Sequence, residues 1–196
     1  MDTPYKQIRA RYDDETVTVY QAYRPGIALR AVEAQTFVDP FKVERMTWIK
    51  PSFLWMMYRC GWAEKEGQEH VLAIDITREG FAWALDHACL SSASKAGVPE
   101  AEWSAHKASH PVRVQWDPER DLHLNRLDHR SIQIGLSGPA VPRYVNDWIV
   151  RITDVTALAR DIRARVVSGD RENAASLLPA ESPYPVSDAW RAQLGM

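Results

Sequence analysis

Arg45-Met-Thr-Trp-Ile-Lys-Pro-Ser-Phe-Leu-Trp-Met-Met-Tyr-Arg-Cys-Gly61 decides how this chain is read. These seventeen residues hold two Trp, one Phe, one Tyr and three Met. Pro51 suits the first position of a helix, where its preset φ helps and its missing N–H goes unused. Gly61 suits the far end, where a left-handed residue commonly closes a helix. Phe53 to Tyr58 show no polar face, and a helix apolar all round is a buried one. The segment is too short to cross a bilayer, which takes about 20 apolar residues. A central buried helix is therefore expected from Pro51 to Gly61. Arg45, Lys50 and Arg59 bracket it with cations. They are either solvated ends or, for Arg45 and Lys50, groups aimed into a cleft beside the aromatics to meet an anionic ligand.

Outward from this helix the chain alternates between two periods. Thr16-Val-Thr-Val-Tyr-Gln-Ala-Tyr23 repeats every second residue and is rich in β-branched side chains, which predicts a strand. Pro25 then opens a helix reaching about Phe37, with Ile27, Ala28, Ala31 and Val32 as its apolar stripe. Tyr20 stands on that strand, and Gln21 and Tyr23 stand at its corner with the helix, a place suited to ligand contacts. His70 to Ile76 predicts a second strand, with Leu72, Ile74 and Ile76 on one face. Thr77 is placed to cap a helix from Arg78 to about Ala88. Val112 to Trp116, Ser131 to Leu136 and Trp148 to Thr153 predict three more strands. Residues 62–69 and 90–101 read as connections, the second as a possible lid. Thr156 and Asp170 are expected to cap C-terminal helices. Residues 186–196 read as a tail laid over a globular core of residues 5–185.

Strands far apart in sequence must pair in this order of elements. An α+β fold is expected, a single domain over 1–196 with mostly antiparallel or mixed sheets of about five or more strands, the central helix and C-terminal helices. The 196 residues are 45% hydrophobic and 26% charged, ordinary for one globular domain. A net charge of −2 gives no overall basic field to recruit nucleic acid. The start of the chain lacks the apolar stretch of a signal peptide, and two Cys make no disulfide framework. A cytoplasmic, reduced setting without membrane contact is expected.

The sequence holds no Gly-rich dinucleotide fingerprint, P-loop, zinc-protease helix or nucleophile elbow. His106 and His110 fall four apart on a short expected helix from Glu102 to Ser109. No third ligand has matching spacing, so no metal is expected. Asp117, Glu119 and Arg120 form a charged turn, readable as a solvated corner or as an Arg–carboxylate network. Arg130 and Ser131 open the following strand. Asp147 marks the beginning of the last one.

Two resemblances follow from these motifs. Thr-Val-Tyr-Gln-Ala-Tyr, Arg-Met-Thr-Trp-Ile-Lys-Pro-Ser-Phe-Leu-Trp, Val-Leu-Ala-Ile-Asp-Ile-Thr-Arg-Glu-Gly-Phe, Val-Gln-Trp-Asp-Pro-Glu-Arg and Arg-Ser-Ile-Gln-Ile-Gly-Leu together resemble the family catalogued as domain of unknown function 4291. The likeness runs from about Ile8 to Pro185. Separately, Val-Tyr-Gln-Ala-Tyr-Arg-Pro-Gly-Ile-Ala and Asn-Asp-Trp-Ile-Val-Arg-Ile are similar to the first and last motifs of ADP-ribosyltransferases. That second likeness implies NAD as substrate, with Gln21 on the ribose, Tyr23 on the nicotinamide and Asp147 as the carboxylate that stabilises oxocarbenium-like charge. Arg45 or Lys50 would hold the pyrophosphate. Gln stands where that family has His or Arg, and Asp where it has Glu.

Three functional readings stay open. One is an ADP-ribosyltransferase-like enzyme cleaving the nicotinamide–ribose bond, with Tyr20, Tyr23, Arg45, Lys50, Arg130 and Ser131 as substrate-binding candidates and Asp147 and Gln21 as catalytic ones. Another is a nucleotide or single-stranded nucleic-acid binding module. The third is a metal-independent hydrolase or transferase using Asp117, Glu119 and Arg120. Oligomeric state is not encoded in any pattern found.

Overall fold

The computed structural model describes residues 3–196, apart from the Lys95 side chain. The elements run β1 (Arg9–Ala10), β2 (Thr16–Tyr23), α1 (Pro25–Ala34), β3 (Thr47–Ile49), α2 (Phe53–Cys60), β4 (His70–Thr77), α3 (Arg78–Asp86) and β5 (Ala88–Leu90). Then come α4 (Ala93–Ala96), a 3-10 turn at Glu100–Glu102, α5 (Trp103–Ser109), β6 (Val112–Arg120), β7 (Arg126–Leu136) and α6 (Ala140–Arg143). A π-helical turn (Tyr144–Trp148), β8 (Ile149–Asp154), α7 (Thr156–Ser168), α8 (Arg171–Ser176), β9 (Ser182–Pro183) and α9 (Asp188–Leu194) complete the chain. This is the α+β architecture expected.

Two sheets carry the fold. One is ordered β2-β4-β8, all antiparallel; the other is ordered β3-β7-β6-β5, with β5 parallel to β6. Strands β1 and β9 form a small ribbon of their own. The period-two pattern of β4 divides the interior, because alternate side chains point to opposite faces. Leu72, Ile74 and Ile76 enter the main core with Val17, Val19, Val114 and Ile134. Val71 enters a smaller core with Tyr20, Phe53, Met56, Met57 and Ile162, beneath α2 and α7.

Helix α2 departs from expectation at both ends. Pro51 lies before the helix, and Ser52 is the cap, its Oγ accepting from Trp55 N–H at 3.1 Å. A hydroxyl there satisfies one of the orphan donors of the first turn. Gly61 does close the helix, at φ 59°, yet Trp62 and Ala63 continue in left-handed geometry, φ 57° and 66°. Both are buried, so the connection starts inside the smaller core and reaches the surface only from Glu64 to Gly67. The helix is not apolar all round: Tyr58 is 46% exposed and Arg59 is exposed.

Three further expectations are corrected. Thr156 does not cap α7 with its side chain; its hydroxyl accepts from Val71 N–H at 2.9 Å, bracing the helix on β4. Residues 90–101 contain α4 and the 3-10 turn. Residues 186–196 are no loose tail: α9 buries Leu194, whose carbonyl accepts from Trp116 Nε1 at 2.9 Å. Gln193 Nε2 reaches the Ala88 carbonyl at 2.7 Å.

Candidate functional site

The two sheets meet where Tyr20 on β2 pairs with Lys50, Tyr20 N–H to Lys50 O at 2.7 Å. This bridge pins the chain between β3 and α2 against the end of β2. Beside it opens a cavity of about 480 Å³ whose lining includes Gln21, Tyr23, Trp48, Lys50, Arg59, Gln115 and Gln133. We call it the lysine cleft.

Its back wall is a closed hydrogen-bond network. Gln21 Nε2 faces Thr47 Oγ1 at 2.6 Å, Tyr23 Oη at 2.9 Å and the Trp48 carbonyl at 3.1 Å. Gln21 Oε1 accepts from the Tyr144 hydroxyl at 2.7 Å. Gln21 is 3% exposed. A buried amide with all these partners holds its neighbours in place.

Lys50 is 6% exposed. Its Nζ donates to the Trp48 carbonyl at 3.1 Å and lies 5.5 Å from the centre of the Trp55 ring. Burial, then the charge of Arg59, pulls its pKa down from 10.5 to about 7. Removal from water disfavours the ammonium form, and a like charge adds to it. An amine that titrates near neutrality in a cleft is a usable base or nucleophile.

The floor comes from β6 and β7, where Gln115 lies opposite Gln133. One carboxylate clamps both: Gln115 Nε2 to Asp117 Oδ1 at 2.9 Å, Gln133 Nε2 to Asp117 Oδ2 at 2.5 Å. A carboxylate only accepts, so the amide nitrogens must face it. The amide oxygens are what the glutamines offer the cleft. Trp48 supplies a flat wall, its indole 2.9 Å from where a Cβ on Gly135 would sit, so only glycine fits beneath it.

A second cavity of about 550 Å³ shares Tyr23, Met46 and Thr47 with the cleft and adds Arg24, Lys42 and Arg45. These three cations give the adjoining cavity a basic lip.

A separate pocket of about 280 Å³ lies at the N-terminus of α2, with Arg9, Ser52, Glu119, Arg120, His129 and Glu181 among its lining. Glu119 Oε1 accepts from Ser52 Oγ at 2.9 Å, and Glu181 Oε1 from Phe53 N–H at 2.7 Å. Burial and then, more weakly, the Glu119 charge push the Glu181 pKa up to about 8. Burial raises Glu119 as well. We call this the carboxyl pocket.

The expected residues are thus sorted by the fold. Gln21, Tyr23, Lys50 and, on the adjoining lip, Arg45 come together. Asp147 does not join them: it lies in the π-helical turn, is exposed, and lines none of these cavities. Tyr20 is buried in the smaller core with its ring edge-on to Phe53. Asp117, Glu119 and Arg120 are not one cluster: Asp117 bonds the two glutamines of the cleft, the other two line the carboxyl pocket, and a register shift falls between Pro118 and Arg120. Arg130 Nε donates to the Tyr5 hydroxyl at 2.9 Å, and the Ser131 hydroxyl is buried without a partner among the described residues. Neither lines the cleft. Thr47, Trp48, Gln115 and Gln133 escaped the sequence reading. The signal that could have found them is a pair of amides at outward positions of two apolar strands.

Among the described residues no cluster of metal-type donors lies in the cleft. Cys89, His106 and His110 assemble instead at the β5 edge of the larger sheet, away from β3. Among curated proteins none matches the chain. The family described as Domain of unknown function (DUF4291) matches residues 7–184, nearly the full length. With its long motifs realised as the strands and helix that build the cleft, the chain belongs to that DUF4291 family.

Proposed function

We propose that the lysine cleft and its basic lip bind a nucleotide, and that Lys50 is the group that acts on it. The observation that carries this is the Asp117 clamp, which presents two amide oxygens beside a buried amine and an indole wall. Oriented amide oxygens suit the amino groups of a base edge. Trp48 and Tyr23 offer faces for stacking. Arg24, Lys42 and Arg45 stand one cavity further on, at the place phosphates would extend to. In its neutral form Lys50 is a base or a nucleophile toward an electrophilic carbon of the ligand.

NAD is within this class of ligand. The ADP-ribosyl transfer reading, however, needs a carboxylate at the scissile bond. Asp147 stands outside the cleft, and Asp117 is engaged with the two glutamines. Gln21, fully bonded within the wall, supports the site and is not free to take the ribose. Binding is accordingly the primary reading, and NAD cleavage a reaction to be assayed alongside it.

The test is a thermal-shift and calorimetric titration with AMP, ATP, GTP, NAD and ribose 5-phosphate. At ligand concentrations about 100 times Kd, stabilisation of about 2.7 kcal/mol is expected from mass action. Base-bearing nucleotides should bind more tightly than ribose 5-phosphate, and Asp117→Ala should weaken them by at least ~10-fold, about 1.4 kcal/mol. If none of these ligands moves the melting temperature at millimolar concentration, the reading fails.

A second reading attaches to the carboxyl pocket. Glu181, protonated up to pH about 8, can donate a proton as the general acid of a hydrolase, with the Glu119 carboxyl lining the same pocket. Glu181→Gln should then abolish a turnover that Lys50→Met leaves intact.

A further inference from the structure

The third donor missing from the linear spacing of His106 and His110 is supplied by the fold. Strand β5 runs parallel to β6 with Cys89 opposite Arg113. Ala88 and Leu90 enter the main core, so alternation turns Cys89 to the other face, toward α5. The two histidines sit one turn apart on α5 and its C-terminal cap. One ligand atom from each of Cys89, His106 and His110 lies within 4.8 Å of the other two.

We infer that Cys89, His106 and His110 form a binding site for a divalent transition metal of the zinc class, with a fourth position left to solvent.

The donor set selects the metal. Thiolate and imidazole favour zinc, cobalt or nickel over magnesium or calcium, which prefer oxygen. Three protein ligands with one open position is a recurrent zinc arrangement. Zinc bonds of about 2.0–2.3 Å set donor–donor distances of roughly 3.5 Å, so the side chains must approach by about 1 Å.

The surroundings fit a ligand role. His110 Nδ1 lies 2.9 Å from the His106 carbonyl and 3.1 Å from Ser109 Oγ. A proton held on Nδ1 by that carbonyl leaves Nε2 with its lone pair, the arrangement that orients metal-bound histidines. Trp103 stacks on His106, centroids 5.6 Å apart at 23°, and limits its rotation. Arg113 fastens the last turn of α5 to β6: its guanidinium donates to the Lys107 carbonyl at 2.7 Å and to the His110 carbonyl. The histidines are thereby held in register with Cys89. The remaining cysteine, Cys60, is the last residue of α2, buried in the smaller core, and serves as an internal control.

The experiment is a cobalt titration of the full chain under reducing conditions. A thiolate-to-cobalt charge-transfer band with tetrahedral-intensity visible bands should saturate at one equivalent and be displaced by zinc. Cys89→Ser should remove the charge-transfer band, and Cys60→Ser should keep it. His106→Ala and His110→Ala should each weaken cobalt binding at least ~10-fold, with circular dichroism unchanged. These two histidines are only half-buried, so their variants report even where Cys89→Ser fails to fold. Absence of the band, its persistence in Cys89→Ser, its loss in Cys60→Ser alone, or parent-like titration of both histidine variants overturns the proposal.

Discussion

The lysine cleft and the carboxyl pocket flank one helix and mirror each other in charge. Lys50, Met56 and Arg59 face the first; Ser52, Phe53 and Leu54 face the second. In each a buried ionisable group leads, and burial is the largest cause of its shift: Lys50 down to about 7, Glu181 up to about 8. Among the described residues neither has a close ion-pair partner. Each lowers its electrostatic penalty by giving up its charge, which is what isolated groups do when desolvated. What separates the two is their support. The cleft has a fully bonded amide wall and a clamped floor, whereas the pocket holds its two acids by a helix N-terminus.

The largest effect should come from breaking that wall. Gln21→Leu strands the fully buried Tyr144 hydroxyl, while Thr47 Oγ1 keeps the Tyr23 hydroxyl at 3.0 Å. An orphaned buried group costs about 1–3 kcal/mol, so a loss of about 2 kcal/mol is expected. For a chain of this size that is a fall of roughly 4–8 °C in melting temperature. A smaller effect than Ser52→Ala at the carboxyl pocket would show that the cleft is not the better-braced site.

Next come opposite pH slopes. Between pH about 4.5 and 8 the folded chain holds a proton on Glu181 that the unfolded chain has lost, so stability falls as pH rises. Between pH about 7 and 10.5 the unfolded chain holds a proton on Lys50 that the folded chain has lost, so stability rises. Each slope is at most about 1.4 kcal/mol per pH unit. Glu181→Gln should flatten the first and Lys50→Met the second, as measured by urea unfolding across pH. Parallel curves for parent and variant would refute the corresponding shift.

Much of this contrast was written in the sequence, and unevenly. Five strands were legible: Val17, Val19, Val114, Ile132, Ile134 and Ile152 alternate with polar neighbours, and in His70–Thr77 a β-branched run around Leu72, Ile74 and Ile76 is long enough to show. Strands β1, β3, β5 and β9 are two or three residues long and have no period to show. They exist because longer strands offer them a partner. Gln21, Tyr23 and Lys50 were legible as residues at element ends. Glu181 was not, since it sits between Pro179 and Pro183 in a segment without periodicity, and only the fold carries it to Phe53 N–H. The Asp147 expectation failed because the strand starts at Ile149, after a π-helical turn that leaves the carboxylate in solvent. No side-chain pattern announces such a turn.

The smallest effect tests whether one arginine lining each cavity, Arg59 and Arg120, plays an equivalent part. Arg59 is a like charge that helps depress the Lys50 pKa. Arg120 lines the carboxyl pocket, yet its guanidinium lies 3.5 Å over the Tyr58 ring, and the charges that stabilise ionised Glu119 are those of His129 and Arg9. Its cation is directed at the ring face, an interaction of about 0.5–1 kcal/mol at an exposed site. Arg120→Ala should therefore lower stability by that amount while leaving the Glu181 titration where it is. Arg59→Ala should shift the Lys50 titration upward, because a repelling charge is gone. Amine labelling against pH reads the first group, and carboxyl infrared or carbon NMR titration reads the second. If Arg120→Ala moved Glu181 as far as Arg59→Ala moves Lys50, the ring contact would be incidental and the pocket would depend on its arginine as an ion-pair partner.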